Sequence, residues 1–131
     1  MEEIVTPVQV RFSDTDMYGH VNNINIQSYF DMGKCDYITE VFGIPMMSSL
    51  KTGLIQKCNT NTFEAQIRFG ENIAVYTGVD KIGNKSITFS QKIVNTDTGE
   101  LKSLSTAVLI AYDFKLQQSI DVPEEWRKKM E

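Results

Sequence analysis

Residues 14–23 read Asp14-Thr15-Asp16-Met17-Tyr18-Gly19-His20-Val21-Asn22-Asn23, and they hold two carboxylates, the chain's one histidine and two asparagines. Four chemistries compete for such a segment. The plainest is a polar loop that ends in a helix-capping asparagine. A calcium loop is suggested by Asp14, Asp16 and Gly19 at positions one, three and six, but Tyr18 stands at five and Asn25 where the bidentate glutamate belongs. Zinc fails on ligand count, because Cys35 and Cys58 are distant in sequence and no HExxH is present. The expectation is no metal and no cofactor. The fourth reading is acyl transfer. A carboxylate just before a helix N-terminus can attack an ester carbonyl or activate water, while the first free backbone N–H groups hold the developing oxyanion. A thioester suits a lone carboxylate, since a thiolate leaves without a strong general acid. The lack of a Ser-His-Asp set is then no obstacle.

Such a loop needs a strand before it and a helix after it, and the flanking patterns supply both. Residues 6–13 alternate, with Val8, Val10 and Phe12 on one face, as in a half-buried strand. From about residue 24 the period lengthens. Ile26, Phe30, Gly33, Tyr37 and Val41 fall on one helical face. Asn22 or Asn23 can cap the start, and Gly43-Ile44-Pro45 is a stop signal.

The remainder reads as strands at residues 54–69, 73–79, around Ile87, Phe89 and Ile93, and at 101–112. They are separated by Gly70-Glu71-Asn72, Gly83-Asn84 and Asp97-Thr98-Gly99. The first of these strands is unusually polar in its middle (Asn59, Thr60, Asn61, Thr62). Residues 123–130 form a short terminal helix. Short turns imply antiparallel pairing, so the expected fold class is α+β, with a five-stranded antiparallel sheet wrapped around one long helix. In the last strand Ala107, Leu109 and Ala111 face one way, and Val108, Ile110 and Tyr112 the other. A strand apolar on both faces calls for a second subunit.

The 131 residues fit one domain. Hydrophobic residues at 41% and charged residues at 23% make an ordinary globular balance. A net charge of -4 argues against a general nucleic-acid binder. No apolar run is long enough to span a membrane, the N-terminus is acidic where a secretory signal would be basic, and two lone cysteines suit a reducing compartment. The expected location is cytoplasmic, without membrane attachment.

The run from Asp14-Thr15-Asp16 through Gly19-His20-Val21-Asn22-Asn23 to Tyr29-Phe30-Asp31 resembles the signature of the 4-hydroxybenzoyl-CoA thioesterase family. The likeness extends through residues 67–73, the Gly83-Asn84-Lys85-Ser86 hairpin and the final strand, over roughly residues 6 to 127. It implies the hot-dog fold and hydrolysis of acyl-CoA or acyl-carrier-protein thioesters. Asp16 matches the catalytic aspartate, as nucleophile or general base, and Asn23 the residue whose backbone N–H polarises the thioester carbonyl. Tyr18, Gly19, His20 and Asn22 match supporting or substrate-binding positions, and Asp14 a structural one. Ile26, Asp31, Lys34 and Ala65 depart from common family residues along the helix face and pocket wall, which bears on substrate choice. The resemblance further implies a homodimer or homotetramer with sites between subunits, and Arg68, Lys81, Lys85 and Lys92 as candidates for the CoA phosphates. Rival functions are a non-catalytic acyl-thioester binder and a hot-dog dehydratase. A dehydratase would need a histidine differently placed from its acid.

Overall fold

The computed structural model describes residues 3–44 and 51–131. Strand β1 (Ile4–Gln9) leads through one 3₁₀ turn (Phe12–Asp14) and the polar loop into helix α1 (Asn23–Phe42). Strands β2 (Thr52–Phe63), β3 (Asn72–Ile82), β4 (Ser86–Asn95) and β5 (Leu101–Asp113) follow. A two-residue strand β6 (Gln118–Ser119) and helix α2 (Glu124–Met130) complete the chain. All pairing is antiparallel, in the order β1-β3-β4-β5-β2, with β6 on β5. The α+β expectation holds, and β6 makes the sheet six-stranded where five strands were expected.

Helix α1 starts and stops for local reasons. Asn22 is the cap: its Oδ1 accepts the Asn25 N–H at 3.0 Å. Gly43 ends the helix in the left-handed conformation at φ 73°, which a glycine adopts without a Cβ penalty. Pro45, the other half of the expected stop, lies outside the described residues. The expected face (Ile26, Phe30, Gly33, Tyr37 and Val41) is the buried one. Gly33 is required there, because a Cβ would meet Thr77 Oγ1 at 2.5 Å and Val75 at 2.8 Å.

Two apolar clusters divide the interior. One, under the C-terminal half of α1, joins Tyr37, Val41 and Phe42 to Phe89, Leu109, Trp126 and Met130. The other, under the N-terminal half, joins Val8, Val21, Ile26, Phe30, Ile67 and Ile93. The helix lies mainly against β1, β3, β4 and α2. Edge strand β2 reaches it through long polar side chains: Gln56 accepts from Lys34 Nζ at 2.6 Å, and Asn59 and Asn61 both donate to Gln27.

Two boundaries differ from expectation. Phe12 is not on a strand face but 78% exposed, packed edge-on against Phe69. The strand has already ended, because the buried Asp14 carboxylate accepts the Arg11 N–H and pulls the chain into the 3₁₀ turn. Strand β2 stops at Phe63, where 54–69 was expected. The N–H groups of Glu64 and Ala65 both turn onto the Lys102 carbonyl, at 2.9 and 3.1 Å. Residues 67–69 then serve the polar loop.

Candidate active site

The loop is a small hairpin built from its own polar groups. Thr15 and Val21 pair across it, and Gly19 makes the turn at φ 77°. Asp16 Oδ1 accepts the Tyr18 N–H at 2.8 Å and the His20 N–H at 3.2 Å, and the Asp16 N–H donates to the His20 carbonyl at 2.8 Å. The returning arm pairs with the segment after β2: Val21 N–H donates to the Ile67 carbonyl at 2.8 Å, and His20 bridges to Arg68. His20 thus enters the loop through its backbone. The Asp16 side chain is exposed, with Oδ1 used by the turn and Oδ2 without a partner among the described residues.

Asp14, two residues earlier, has the opposite environment. It is 3% exposed, and its Oδ2 accepts from the Tyr29 hydroxyl at 2.7 Å and the Arg11 N–H at 3.1 Å. Burial alone would raise its pKa. The Tyr29 hydrogen bond, the Arg11 N–H and the Arg11 guanidinium outweigh it and hold the carboxyl below the ordinary value of 3.8. The same pairing, with burial first, pushes the Tyr29 phenol up. The Asp14 carbonyl accepts the Asn22 N–H at 3.1 Å and the Asn25 side-chain amide at 3.0 Å, which fixes where α1 begins.

At that start, Asn25 and Ile26 N–H are satisfied by Asn22, while those of Asn23 and Ile24 find no partner among the described residues. A helix end with free donors and a positive dipole is a site for a developing oxyanion. Two clefts open there. One, of about 360 Å³, is lined by Val21, Asn23, Ile26, Phe63, Ala65 and Ile67 among others. The second, of about 510 Å³, runs along α1 past Gln27, Ser28, Asn59 and Asn61 and shares Asn23 and Phe63 with the first. Asn23 is therefore common to both. Asp16, Tyr18, Gly19, His20 and Asn22 line neither and stand on the adjoining loop. Sequence reading missed Gln27, whose amide joins α1 to β2. It also missed Lys102, buried and paired with Glu71 at 2.8 Å and Glu100 at 2.6 Å while donating to the Gln66 carbonyl. The polar middle of β2 was the available signal for the first; a lysine in a strand gives none for the second. Of the four basic candidates, Arg68 borders a recess at this end, while Lys92 lies over the Tyr76 ring. Among the described residues, no three His, Cys, Asp or Glu side chains come together as a metal site.

An antiparallel sheet curled round a long helix, with the helix start open on a cleft, is the hot-dog arrangement. The family model described as "Thioesterase-like superfamily" matches residues 10–130, and the chain belongs to that superfamily. It is similar to the protein YsmA of Bacillus subtilis (strain 168), itself uncharacterised, with 32% identity over 85 residues. That match covers 62% of this chain and 54% of YsmA, so the chain spans about half the length of the curated relative it matches. Among solved structures, the gentisyl-coenzyme A thioesterase BH1999 superposes with a TM-score of 0.87 at 21% identity, over 98% of this chain and 100% of that one. A thioesterase from Thermus thermophilus, complexed with coenzyme A and Zn, gives 0.82 at 20% identity, over 96% of this chain and 90% of that one. These likenesses establish the fold. No helix among the described residues is long and apolar enough to cross a membrane.

Proposed function

We propose that the protein hydrolyses acyl-CoA thioesters, acyl-carrier-protein thioesters being the other carrier class, with Asp16 as nucleophile or general base. The observation that carries this reading is the pair of N–H groups, Asn23 and Ile24, that have no partner among the described residues, at the start of a 20-residue helix that opens on two clefts. The Asn23 N–H takes the thioester carbonyl oxygen and stabilises the negative charge it gains. In one route Asp16 Oδ2 attacks the carbonyl carbon, the C–S bond breaks, the thiolate takes a proton from water, and a second water hydrolyses the mixed anhydride. In the other, Asp16 takes a proton from the water that attacks the carbonyl carbon, the C–S bond then breaks, and the proton passes from Asp16 to the leaving thiolate. Tyr18, Gly19, His20 and Asn22 hold the loop and the helix cap in register. Membership of the thioesterase-like superfamily supports the reaction class, and coenzyme A bound in one structural neighbour supports the carrier.

One observation favours the non-catalytic binder as second reading: in a single copy Asp16 lines neither cleft. A second copy reconciles the two. Among the described residues, edge strand β2 pairs only with β5, and Val108, Ile110 and Tyr112 are half-buried on the outer face of β5. A homodimer, or a tetramer built from it, would bring a partner surface to the open clefts. Light scattering should give at least twice 14.9 kDa at micromolar concentration; a monomer mass would contradict the shared site. The function itself is tested by incubation with a panel of acyl-CoAs and detection of free thiol. Release of CoA is the expected result, and tight binding without release would select the binder.

A further inference from the structure

Residues 16–21 carry the candidate catalytic carboxylate, yet little ties them to the fold. Beyond their own hairpin (residues 14–22), and among the described residues, they are held by two hydrogen bonds. The Val21 N–H donates to the Ile67 carbonyl at 2.8 Å, and the Phe69 N–H donates to the Gly19 carbonyl at 3.3 Å. Both bonds go to one short segment. Asp16 is bound to His20 in both directions, and His20 bridges to Arg68. The place of Asp16 is therefore set by whatever fixes residues 66–69.

That segment lies between β2 and β3, and a charge cluster grips it from behind. Lys102, on β5, is 4% exposed. Its ammonium has three N–H groups to donate, and it meets Glu71 at 2.8 Å, Glu100 at 2.6 Å and the Gln66 carbonyl at 2.9 Å. Its backbone carbonyl takes the Glu64 and Ala65 N–H groups. Glu71 closes the segment from the other end. One of its carboxylate oxygens accepts the Arg68 N–H, and the other accepts from Lys102 and from the buried Asn95 amide, each at 2.8 Å. Burial alone would raise the Glu71 pKa, but the Lys102, Arg68 and Asn95 hydrogen bonds outweigh it and hold the carboxyl below its ordinary 4.5. Burial alone would lower the Lys102 pKa, but the Glu100 and Glu71 hydrogen bonds hold it above its ordinary 10.5. A buried ion pair adds little net stability over apolar residues of the same volume. What this pair supplies is direction. It places bonds on Gln66 and Arg68, the two neighbours of Ile67, whose carbonyl holds the loop.

We propose that Glu71 and Lys102 are positioning residues for the reaction: through residues 66–69 they hold the loop so that Asp16 keeps its working place relative to the Asn23 N–H. This rests on the thioesterase reading and adds to it a pair that acts through Asp16. The test places Glu71→Gln and Lys102→Met, each alone, in the full-length protein and in the Asp16→Asn variant. Glu71→Gln nearly keeps the shape, but its amide can accept from Arg68 or from Lys102 and not from both. It serves as the folded variant should Lys102→Met fail to fold. With Asp16 present, kcat for thiol release should fall about 10-fold for Glu71→Gln and roughly 10²-fold for Lys102→Met, since a small misplacement remote from the chemistry is enough. In the Asp16→Asn background the same changes should cost less than about two-fold, because a carboxylate already removed cannot be misplaced. An equal loss in both backgrounds would overturn the proposal and leave the pair supporting the fold alone. An unchanged kcat, with or without a raised KM, would overturn it too.

Hydrogen exchange gives a readout that needs no substrate. In Glu71→Gln the His20, Val21 and Phe69 amides should exchange about 10-fold faster or more, as expected when a local opening becomes easier. The Gly43 N–H, bonded to the Thr39 carbonyl at the far end of α1, should be unaffected. Loop amides that exchange no faster, or a Gly43 amide that speeds up equally, would overturn the proposal. If no thioester of the panel is hydrolysed, the thioesterase reading fails by itself, and the exchange rates alone decide whether Glu71 and Lys102 hold the loop.

Discussion

The two halves of α1 share one helix but have opposite surroundings. At the C-terminal half, Tyr37 and Phe42 meet edge-on at 5.8 Å, and Phe42 stacks on Trp126 at 4.9 Å. Gly43 closes the helix, and α2 covers it. At the N-terminal half the inner face packs on the second apolar cluster, but the first two N–H groups are free among the described residues, the facing side of β2 is polar, and two clefts open beside the helix start. The helix is anchored at one end and presents its dipole at the other. On the proposed function, stability and activity are therefore separable along it, and that separation can be attacked from either side.

The largest effect on stability belongs to the anchored end. Trp126→Ala removes a side chain that is 4% exposed and stacked in the larger cluster. It should cost about 3–5 kcal/mol of unfolding free energy by the measure of other large-to-small core changes. Urea unfolding measures the loss, and kcat below the new transition should stay within about two-fold of the original. A collapse of kcat in still-folded protein would show that the two halves are coupled.

A smaller effect is expected at the other end, where the Asp14 backbone carbonyl fixes the start of α1. Asp14→Ala leaves the Tyr29 hydroxyl and the Arg11 N–H without an acceptor, at a cost of about 2–3 kcal/mol. The folded pKa of Asp14 lies below 3.8, so its contribution is present above that ordinary value and fades as the pH falls through the depressed folded one. Unfolding at pH 7 and pH 3 should show the variant's deficit shrinking in acid. A deficit that stays constant or grows would mean that the Asp14 charge is not what holds the loop.

The anchored half was the more legible in sequence. Ile26, Phe30, Gly33, Tyr37 and Val41 declare a helix face by spacing alone, and Gly43 declares its end, because burial and left-handed backbone are local demands. The site half was legible as a motif but not as a geometry. Asp14 and Asp16 look alike in a string of letters. Only the fold buries one under Tyr29 and leaves the other at a turn, since that depends on a partner fifteen residues away. Phe12 misled because alternation continued past the point where the Asp14 carboxylate had already ended the strand. The end of β2 was invisible for a related reason: no glycine or proline marks it, and the Lys102 carbonyl that turns the chain belongs to another strand. The polar middle of β2 was visible, but its meaning was not. The register shift between Gln56 and Cys58 is what turns Asn59 and Asn61 toward the helix.

The smallest effect on stability, and the most telling on function, is expected at Asp16. Its carboxylate is exposed and, among the described residues, bonded only within its own turn. Asp16→Asn should therefore leave the unfolding midpoint essentially unchanged. The most direct measurement is kcat for thiol release by Asp16→Asn beside Asp14→Asn, on the best acyl-CoA of the panel, with both variants verified as folded. A catalytic Asp16 predicts a fall of roughly 10²–10⁴ for Asp16→Asn, the usual worth of a positioned general base, and more if Asp16 is the nucleophile. A far smaller fall is expected for Asp14→Asn. Near-normal turnover by the Asp16 variant would contradict this, by moving the chemistry to Asp14 if that variant is dead and out of this loop if both remain active.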